Sequence, residues 1–206
     1  MGTASPAPVI GVLALQGASG LHLEVLQGLG VAAAEVRTPA ELAEVDALVI
    51  PGGESTTISK LLDLNGLFGP IRERLDAGMP ALGTCAGMIL LASAILDGRD
   101  DQRCFGAIDI DVRRNAFGRQ VDSFEADLPV EVLDRPLHAV FIRAPLVERV
   151  GDGVEVLATV DGRAVWCRQG AVMVSSFHPE LWSDARLHEL FLASVQAARS
   201  AMKEGS

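Results

Sequence analysis

A cysteine between two glycines is the strongest chemical signal in this sequence. Cys85 lies within Gly83-Thr84-Cys85-Ala86-Gly87, between a predicted strand and a predicted helix. Flanking glycines permit the sharp, strained turn on which a nucleophile elbow exposes its nucleophile. The positive end of the following helix favours a thiolate, and the backbone N–H of Ala86 is expected to face a developing oxyanion. The alternative for a lone cysteine is a buried packing role, but this setting predicts a nucleophile.

A base for this thiol is predicted near the end of the chain. His178 follows the apolar run Val172–Phe177 and precedes Pro179, which favours an extended backbone at the histidine. This places His178 at the carboxyl end of a strand, where open α/β sheets build their sites. Glu180 can share its face if the chain stays extended, and can then hold the imidazole tautomer. Alone, His-Pro-Glu fits a surface turn with a solvated His and Glu better than a catalytic site; combined with the elbow, it predicts a Cys85–His178–Glu180 triad.

The other histidines and cysteines receive no catalytic role from their surroundings. His22 and His188 lie on predicted helices and are expected to be solvated or to pack. Cys167 lies in an alternating strand and is expected to pack in the core. An odd number of widely spaced cysteines without a CxxC pair fits neither a disulfide framework nor a zinc site, so we expect reduced thiols and no metal.

Three further segments could bind a substrate. Gly52-Gly53-Glu54 follows a strand and opens a helix, so the backbone can approach a ligand closely and its N–H groups can bind an oxyanion. The segment lacks the lysine of an ATP-binding phosphate loop, and a plain turn with a helix cap fits it equally well. Arg114 and Arg143 follow predicted strands and could bind a carboxylate; the alternative for each is an ordinary surface arginine.

The first half of the chain reads as alternating strands and helices, which predicts βαβ units and a parallel sheet. The apolar runs predict strands at 9–15, 31–36, 47–50 and 80–84. The helical patterns predict helices at 22–29, 39–43, 70–77 and 86–96, and one capped by Ser55.

After Asp97 the pattern changes, because strands follow strands. Strands are predicted at 108–112, 131–133, 139–142, 154–160, 163–168 and 172–177, with Asp161-Gly162 as a hairpin turn and Ser183 opening a last helix. We therefore predict one α/β domain over 1–206, with a mostly parallel central sheet, flanking helices and antiparallel strands in the second half. The ends, 1–8 and 203–206, are expected to fray.

Composition excludes several classes of protein. The 206 residues include 17 basic and 27 acidic side chains, and a net charge of −10 argues against nucleic-acid binding. The longest strongly apolar run, 86–96, is too short to span a membrane, and no secretory signal pattern opens the chain. These features predict a soluble, cytoplasmic protein with a sizeable core.

Several motifs together resemble the class I, triad-type glutamine amidotransferases, whose fold is flavodoxin-like. More narrowly, the chain resembles the glutaminase subunits of pyridoxal 5′-phosphate synthases, from Ile10 to the last helix. The motifs are GVLALQG, LVIPGGESTT, GTCAG, RNAFGRQVDSFEADL, FIRAP and SSFHPE. The segments RNAFGRQVDSFEADL and FIRAP select the narrower group. Two departures are a slightly longer stretch at 97–104 and Ala116, where the family usually has serine.

The resemblance assigns roles by motif. It implies that Cys85 is the nucleophile, His178 the acid and base, and Glu180 the residue that orients His178. It also implies an oxyanion hole at Gly53 and Ala86. The residues implied to contact glutamine are Gly52, Gly53, Glu54, Arg114, Ile142 and Arg143.

The resemblance also implies the reaction and the partner. L-glutamine would be hydrolysed to glutamate and ammonia through a thioester, without a cofactor, and ammonia would pass to a (β/α)₈-barrel synthase subunit in a hetero-oligomer. A cysteine-dependent α/β-hydrolase is a rival, but its acid normally precedes its histidine. Nearer rivals are a γ-glutamyl hydrolase and the glutaminase of another synthase. The non-enzymatic rival is a scaffold that lost the chemistry, although all three triad residues are present.

Overall fold

The structure, a computed structural model, describes residues 7–114 and 123–204. The strands are β1 (Val9–Leu13), β2 (Ala32–Val36), β3 (Ala47–Ile50), β4 (Ala81–Thr84), β5 (Ala92–Ile95), β6 (Ile108–Arg113), β7 (Ser123–Leu128), β8 (Leu137–Ile142), β9 (Leu146–Val150), β10 (Glu155–Val160), β11 (Arg163–Gln169) and β12 (Val172–Ser175). The helices are α1 (Ser19–Gly28), α2 (Pro39–Ala43), α3 (Ser55–Leu64), α4 (Phe68–Asp76), α5 (Ala86–Leu91) and α6 (Arg186–Glu204), with a short 3₁₀ helix at Pro179–Leu181.

Within these residues the central sheet has seven strands in the order β10-β11-β12-β4-β3-β1-β2. The five strands from β12 to β2 run parallel, while β10 and β11 add an antiparallel hairpin at one edge. Two smaller sheets, β5-β6-β9 and β7-β8, complete the described part. The predicted α/β fold with a mostly parallel sheet and later antiparallel strands is confirmed.

Two apolar clusters of buried side chains hold this architecture together. One contains Ile58 and Leu62 of α3, and the other contains Leu187, Phe191 and Val195 of α6. The strands of the central sheet contribute to both clusters, which is why β3 and β4 are buried along their whole length. Such two-sided burial produces the continuous apolar runs that predict these strands.

Two predicted elements are wrong. The helix predicted for 86–96 stops at Leu91, and Ala92–Ile95 forms β5 instead, paired in parallel with β6. An apolar run cannot distinguish a buried helix from a buried strand by periodicity alone. The strand predicted at 131–133 is a turn, in which Leu133 N–H donates to the Val130 carbonyl and Val132 is exposed.

Two predicted helix starts also need correction. Glu54, not Ser55, is the N-cap of α3, because its carboxylate accepts from Thr56 N–H. The last helix begins at Arg186 rather than at Ser183, and the Asp184 carboxylate accepts from the Arg186 N–H. Polar residues at successive positions compete for the cap, and sequence alone does not decide between them.

The predicted hairpin at Asp161-Gly162 is confirmed, since both residues have positive φ angles, 49° and 74°. The ends expected to fray lie largely outside the described residues. Among the helices in 7–114 and 123–204, none combines the length and apolar character that crossing a bilayer requires.

Candidate active site

Two neighbouring parallel strands bring the predicted nucleophile and base together. Strands β4 and β12 pair in parallel, with Thr84 opposite Ser175. Cys85 directly follows β4, and its N–H donates to the Ser175 carbonyl at 2.8 Å. His178 lies three positions beyond this carbonyl. The thiol and the imidazole therefore meet at the carboxyl edge of the sheet, where the strand pattern predicts a site.

The backbone at Cys85 has the strained geometry of a nucleophile elbow. Cys85 has φ 48° and ψ −102°, a backbone conformation that residues other than glycine rarely adopt. Cys85 is also the N-cap of α5. The flanking glycines are required because neighbouring backbone atoms leave no room for a side chain. A Cβ at Gly83 would lie 2.6 Å from the Gly87 carbonyl, and one at Gly87 would overlap the Ile50 carbonyl. The pattern of small residues is therefore the local cause of this turn.

Glu180 reaches the imidazole by a different route from the predicted extended chain. Pro179 begins the 3₁₀ helix, and this turn brings the Glu180 carboxylate back to His178. Glu180 Oε1 accepts a hydrogen bond from His178 Nδ1 at 2.8 Å, and the Glu180 side chain is fully buried. Glu180 therefore lies against His178 as predicted, although a helical turn rather than an extended segment brings it there.

His178 and Glu180 stabilise each other's charged forms. Burial lowers the pKa of His178, but hydrogen bonds to the Cys85 sulfur and to Glu180, with their negative charges, outweigh burial and raise this pKa to about 10. Burial raises the pKa of Glu180, but the hydrogen bond from His178 and the nearby imidazoles lower it overall. The arrangement therefore favours a protonated imidazole between the Cys85 sulfur and the Glu180 carboxylate.

A cavity lies over the thiol. Its lining includes the three triad residues and all of the residues predicted to contact a substrate: Gly52, Gly53, Glu54, Arg114, Ile142 and Arg143. The Cys85 thiol approaches the Ile142 carbonyl at 3.9 Å, and Arg143 has a φ angle of 44°. Ala86, the remaining predicted residue, is the first residue of α5, where backbone N–H groups lack intrahelical partners.

Gly52 lies against the imidazole. A Cβ at this position would overlap His178 Cε1 and would lie 3.0 Å from Nδ1. The Gly52 carbonyl accepts from Ala18 N–H at 3.3 Å, which ties this loop to the segment after β1. The loop is therefore held close to the triad by backbone contacts that only glycine permits.

Sequence reasoning missed Gln16, which supports the same loop. Gln16 Oε1 accepts from the Glu54 N–H at 2.8 Å, and the side chain lines the cavity. Its position after a strand could have indicated this role, because Gln16 and Gly17 follow β1, which pairs directly with β3. Polar residues after adjacent parallel strands converge at one edge of a sheet.

The loop at 97–103, which has no predicted role, positions Arg114. Arg114 Nη1 donates to Gln102 Oε1 at 3.1 Å, and Gln102 Nε2 donates to Ser55 Oγ at 3.0 Å. Asp97 Oδ1 accepts from the Arg114 N–H at 2.7 Å. The departure noted at Ala116 lies outside the described residues.

His22 and His188 are neither solvated nor simply packed. Both are fully buried, and His22 Nε2 lies 3.3 Å from Glu180 Oε2. His22 lies on α1 and His188 lies on α6, so the contacts of these two side chains cannot be predicted from the residues next to them in sequence. Cys167 is buried, as predicted.

Comparisons with known proteins identify relatives of this chain. A curated protein from Nocardioides sp., named pyridoxal 5′-phosphate synthase subunit PdxT, is 60% identical over 198 residues, covering 94% of this chain and 98% of its own. A protein of the same name from Mycobacteroides abscessus is 58% identical over 190 residues, covering 92% and 98%.

A solved structure described as a glutamine amidotransferase is 50% identical and superposes with a TM-score of 0.86, covering 91% of this chain and 98% of its own. The sequence profile of the SNO glutamine amidotransferase family matches residues 12–197. This match runs from within β1 to within α6 and includes Cys85, His178 and Glu180. The chain therefore belongs to the SNO glutamine amidotransferase family.

Proposed function

We propose that this chain, acting as a single domain over 1–206, hydrolyses L-glutamine and supplies ammonia to a pyridoxal 5′-phosphate synthase. The observation that carries the proposal is the contact of Cys85, His178 and Glu180 at the floor of a cavity. Family membership gives the amidotransferase class, and the names of the relatives indicate the synthase. The free thiol at Cys85 suits the reducing cytoplasm.

The first half of the reaction acylates the enzyme. The Cys85 thiolate attacks the side-chain carbonyl carbon of glutamine and forms a C–S bond, while the carbonyl oxygen becomes an oxyanion. The N–H groups of Ala86 and Gly53 hold this oxyanion. His178 donates its proton to the carboxamide nitrogen, the C–N bond breaks, and ammonia leaves.

The second half releases glutamate. His178, now neutral, accepts a proton from water, and the resulting hydroxide attacks the γ-glutamyl thioester. The C–S bond breaks, the Cys85 thiolate is regenerated, and glutamate departs. Glu180 keeps the imidazole oriented in both steps, because its carboxylate accepts from Nδ1 and leaves Nε2 for proton transfer.

The cavity wall matches the charges of an amino acid. The guanidinium groups of Arg114 and Arg143 suit the α-carboxylate, and the exposed carboxylate of Glu54 suits the α-ammonium. The Ile142 carbonyl lies beside the thiol and fits a contact with the carboxamide N–H₂.

Replacing Gln102 with alanine is expected to raise the KM for glutamine several-fold while kcat changes little. Gln102 holds one nitrogen of Arg114, and its loss releases a substrate-binding group rather than a reacting one. Steady-state glutaminase kinetics measure the effect. Gln27→Ala is the matched control, because this exposed glutamine lies on α1, outside the cavity lining. An unchanged KM in Gln102→Ala contradicts this role.

The partner follows from the chemistry of ammonia. Ammonia is mostly protonated at neutral pH, and ammonium is a poor nucleophile, so delivery to a synthase must be sheltered from water. We propose a (β/α)₈-barrel synthase subunit as the acceptor, in a hetero-oligomer whose docking completes the oxyanion hole.

The direct test is a glutaminase assay of the chain alone and after co-purification with a candidate synthase. Activity is expected to be low for the free chain and to rise on docking, with glutamine-dependent formation of pyridoxal 5′-phosphate. Full activity of the free chain contradicts the docking claim. Hydrolysis without glutamine-dependent product formation points instead to a stand-alone hydrolase or to a different synthase.

A further inference from the structure

A buried pair of histidines lies behind the triad and takes no part in the proposed reaction. His22 Nδ1 and His188 Nε2 are 2.9 Å apart. On its other side, His22 Nε2 lies 3.3 Å from Glu180 Oε2 and 3.2 Å from Thr84 Oγ1. Both histidines are fully buried. The chain of contacts that links Cys85, His178 and Glu180 therefore extends into the protein interior through His22 and His188.

The contacts select one tautomer of His22. An ionised carboxylate only accepts hydrogen bonds, so a lone pair on Nε2 facing Glu180 Oε2 would be repelled. Nε2 must therefore carry the hydrogen. Thr84 Oγ1 accepts it, while Glu180 Oε2, which makes no hydrogen bond among the described residues, faces the same N–H at 3.3 Å. Nδ1 of His22 is then an acceptor, and His188 Nε2 must be the donor to it.

The remaining ring nitrogen of the pair, His188 Nδ1, is consistent with a hydrogen on His188 Nε2. His188 Nδ1 is buried without a partner among the described residues. With the hydrogen on Nε2, this atom is an unfilled acceptor, which costs less than a buried unfilled N–H. Burial lowers the pKa of His22, and burial with the neighbouring His22 lowers that of His188 to about 3. Both shifts favour the neutral imidazole.

We propose that His22 is a positioning residue whose Nε2–H faces and restrains the second carboxylate oxygen of Glu180, and that His188 holds the His22 ring in this orientation by donating to its Nδ1. A neutral donor restrains the carboxylate without neutralising it, so Glu180 retains its full attraction for the His178 imidazolium. The inference rests on the proposed glutaminase function, because its catalytic effect is exerted through the triad.

Matched substitutions separate this role from simple packing. His22→Leu and His188→Leu fill the space without hydrogen bonding, whereas His22→Gln and His188→Gln keep an N–H close to the position of Nε2. In the complex with the synthase, both leucine variants are expected to lower kcat on the order of tenfold, with little change in KM. The glutamine variants are expected to recover most of this loss. Leucine variants with unchanged kcat, or glutamine variants as impaired as leucine variants, would overturn the proposal.

A spectroscopic measurement tests the tautomer independently of activity. In protein labelled with ¹⁵N-histidine, two-bond ¹H–¹⁵N correlations are expected to show His22 protonated on Nε2 in the parent chain, and still on Nε2 in His188→Leu because Glu180 alone selects this tautomer. Protonation on Nδ1 in the parent chain would refute the proposal even if no variant folds. A parent complex that fails to hydrolyse glutamine but shows the Nε2 tautomer would instead refute the proposed function.

Discussion

Replacing Cys85 with alanine is expected to abolish glutamine hydrolysis and every product that depends on it. Without the sulfur no thioester forms, so the loss in kcat is on the order of 10⁴-fold or more. Alanine has the same backbone restrictions at φ 48° as cysteine, so the turn itself is retained. Initial rates of glutamate release in the complex measure the loss, and mass spectrometry after acid quench detects a γ-glutamyl adduct in the parent chain only.

Cys104→Ala is the matched control for this variant. Burial raises the pKa of the Cys104 thiol, and its sulfur contacts the Ser93 carbonyl, well outside the cavity lining. The control is expected to retain full activity and the adduct. Hydrolysis that persists in Cys85→Ala, or an adduct on another cysteine, would show that the nucleophile is misassigned.

Replacing Gly52 with alanine is expected to lower kcat about a hundredfold, although the substitution adds one methyl group. The new Cβ would overlap the His178 ring, so the imidazole must move out of line with the thiol or the loop must move away from the cavity. A displacement of about 1 Å in a catalytic group costs roughly 10² in rate. Steady-state kinetics of the complex measure this, with circular dichroism to verify folding.

Gly69→Ala provides the comparison. This glycine lies in α4, and a Cβ there meets nothing within 4 Å. The control is expected to keep its activity and to gain slightly in stability, because alanine favours the helix. If Gly52→Ala is as active as Gly69→Ala, then the imidazole does not occupy the place described for it during catalysis.

The sequence predicted the triad because each part of it has a local signal. The glycines around Cys85 and the strand before His178 are read within a few residues. The wrong helix prediction concerns a segment whose structure depends on a distant partner. Ala92–Ile95 forms a strand because β6 lies beside it, whereas its apolar residues alone fit a continuation of the helix equally well. Local pattern cannot supply information that resides in tertiary pairing.

The supporting residues of the site were missed for the same reason. Gln102 contacts Arg114 across a polar loop, and His22 contacts Glu180 from a helix far away in sequence. A histidine on a helix looks the same whether its face is covered by solvent or by a carboxylate. Only the packing of α1 and α6 against the sheet distinguishes these cases.

The pairing of β4 with β12 has a consequence during synthesis of the chain. The cysteine leaves the ribosome more than ninety residues before the histidine that would take its proton. Until the late strand docks beside β4, the nascent chain carries an ordinary thiol without its base. In the proposed mechanism, the Cys85 thiol therefore gains its base only after β12 has been synthesised and has paired with β4.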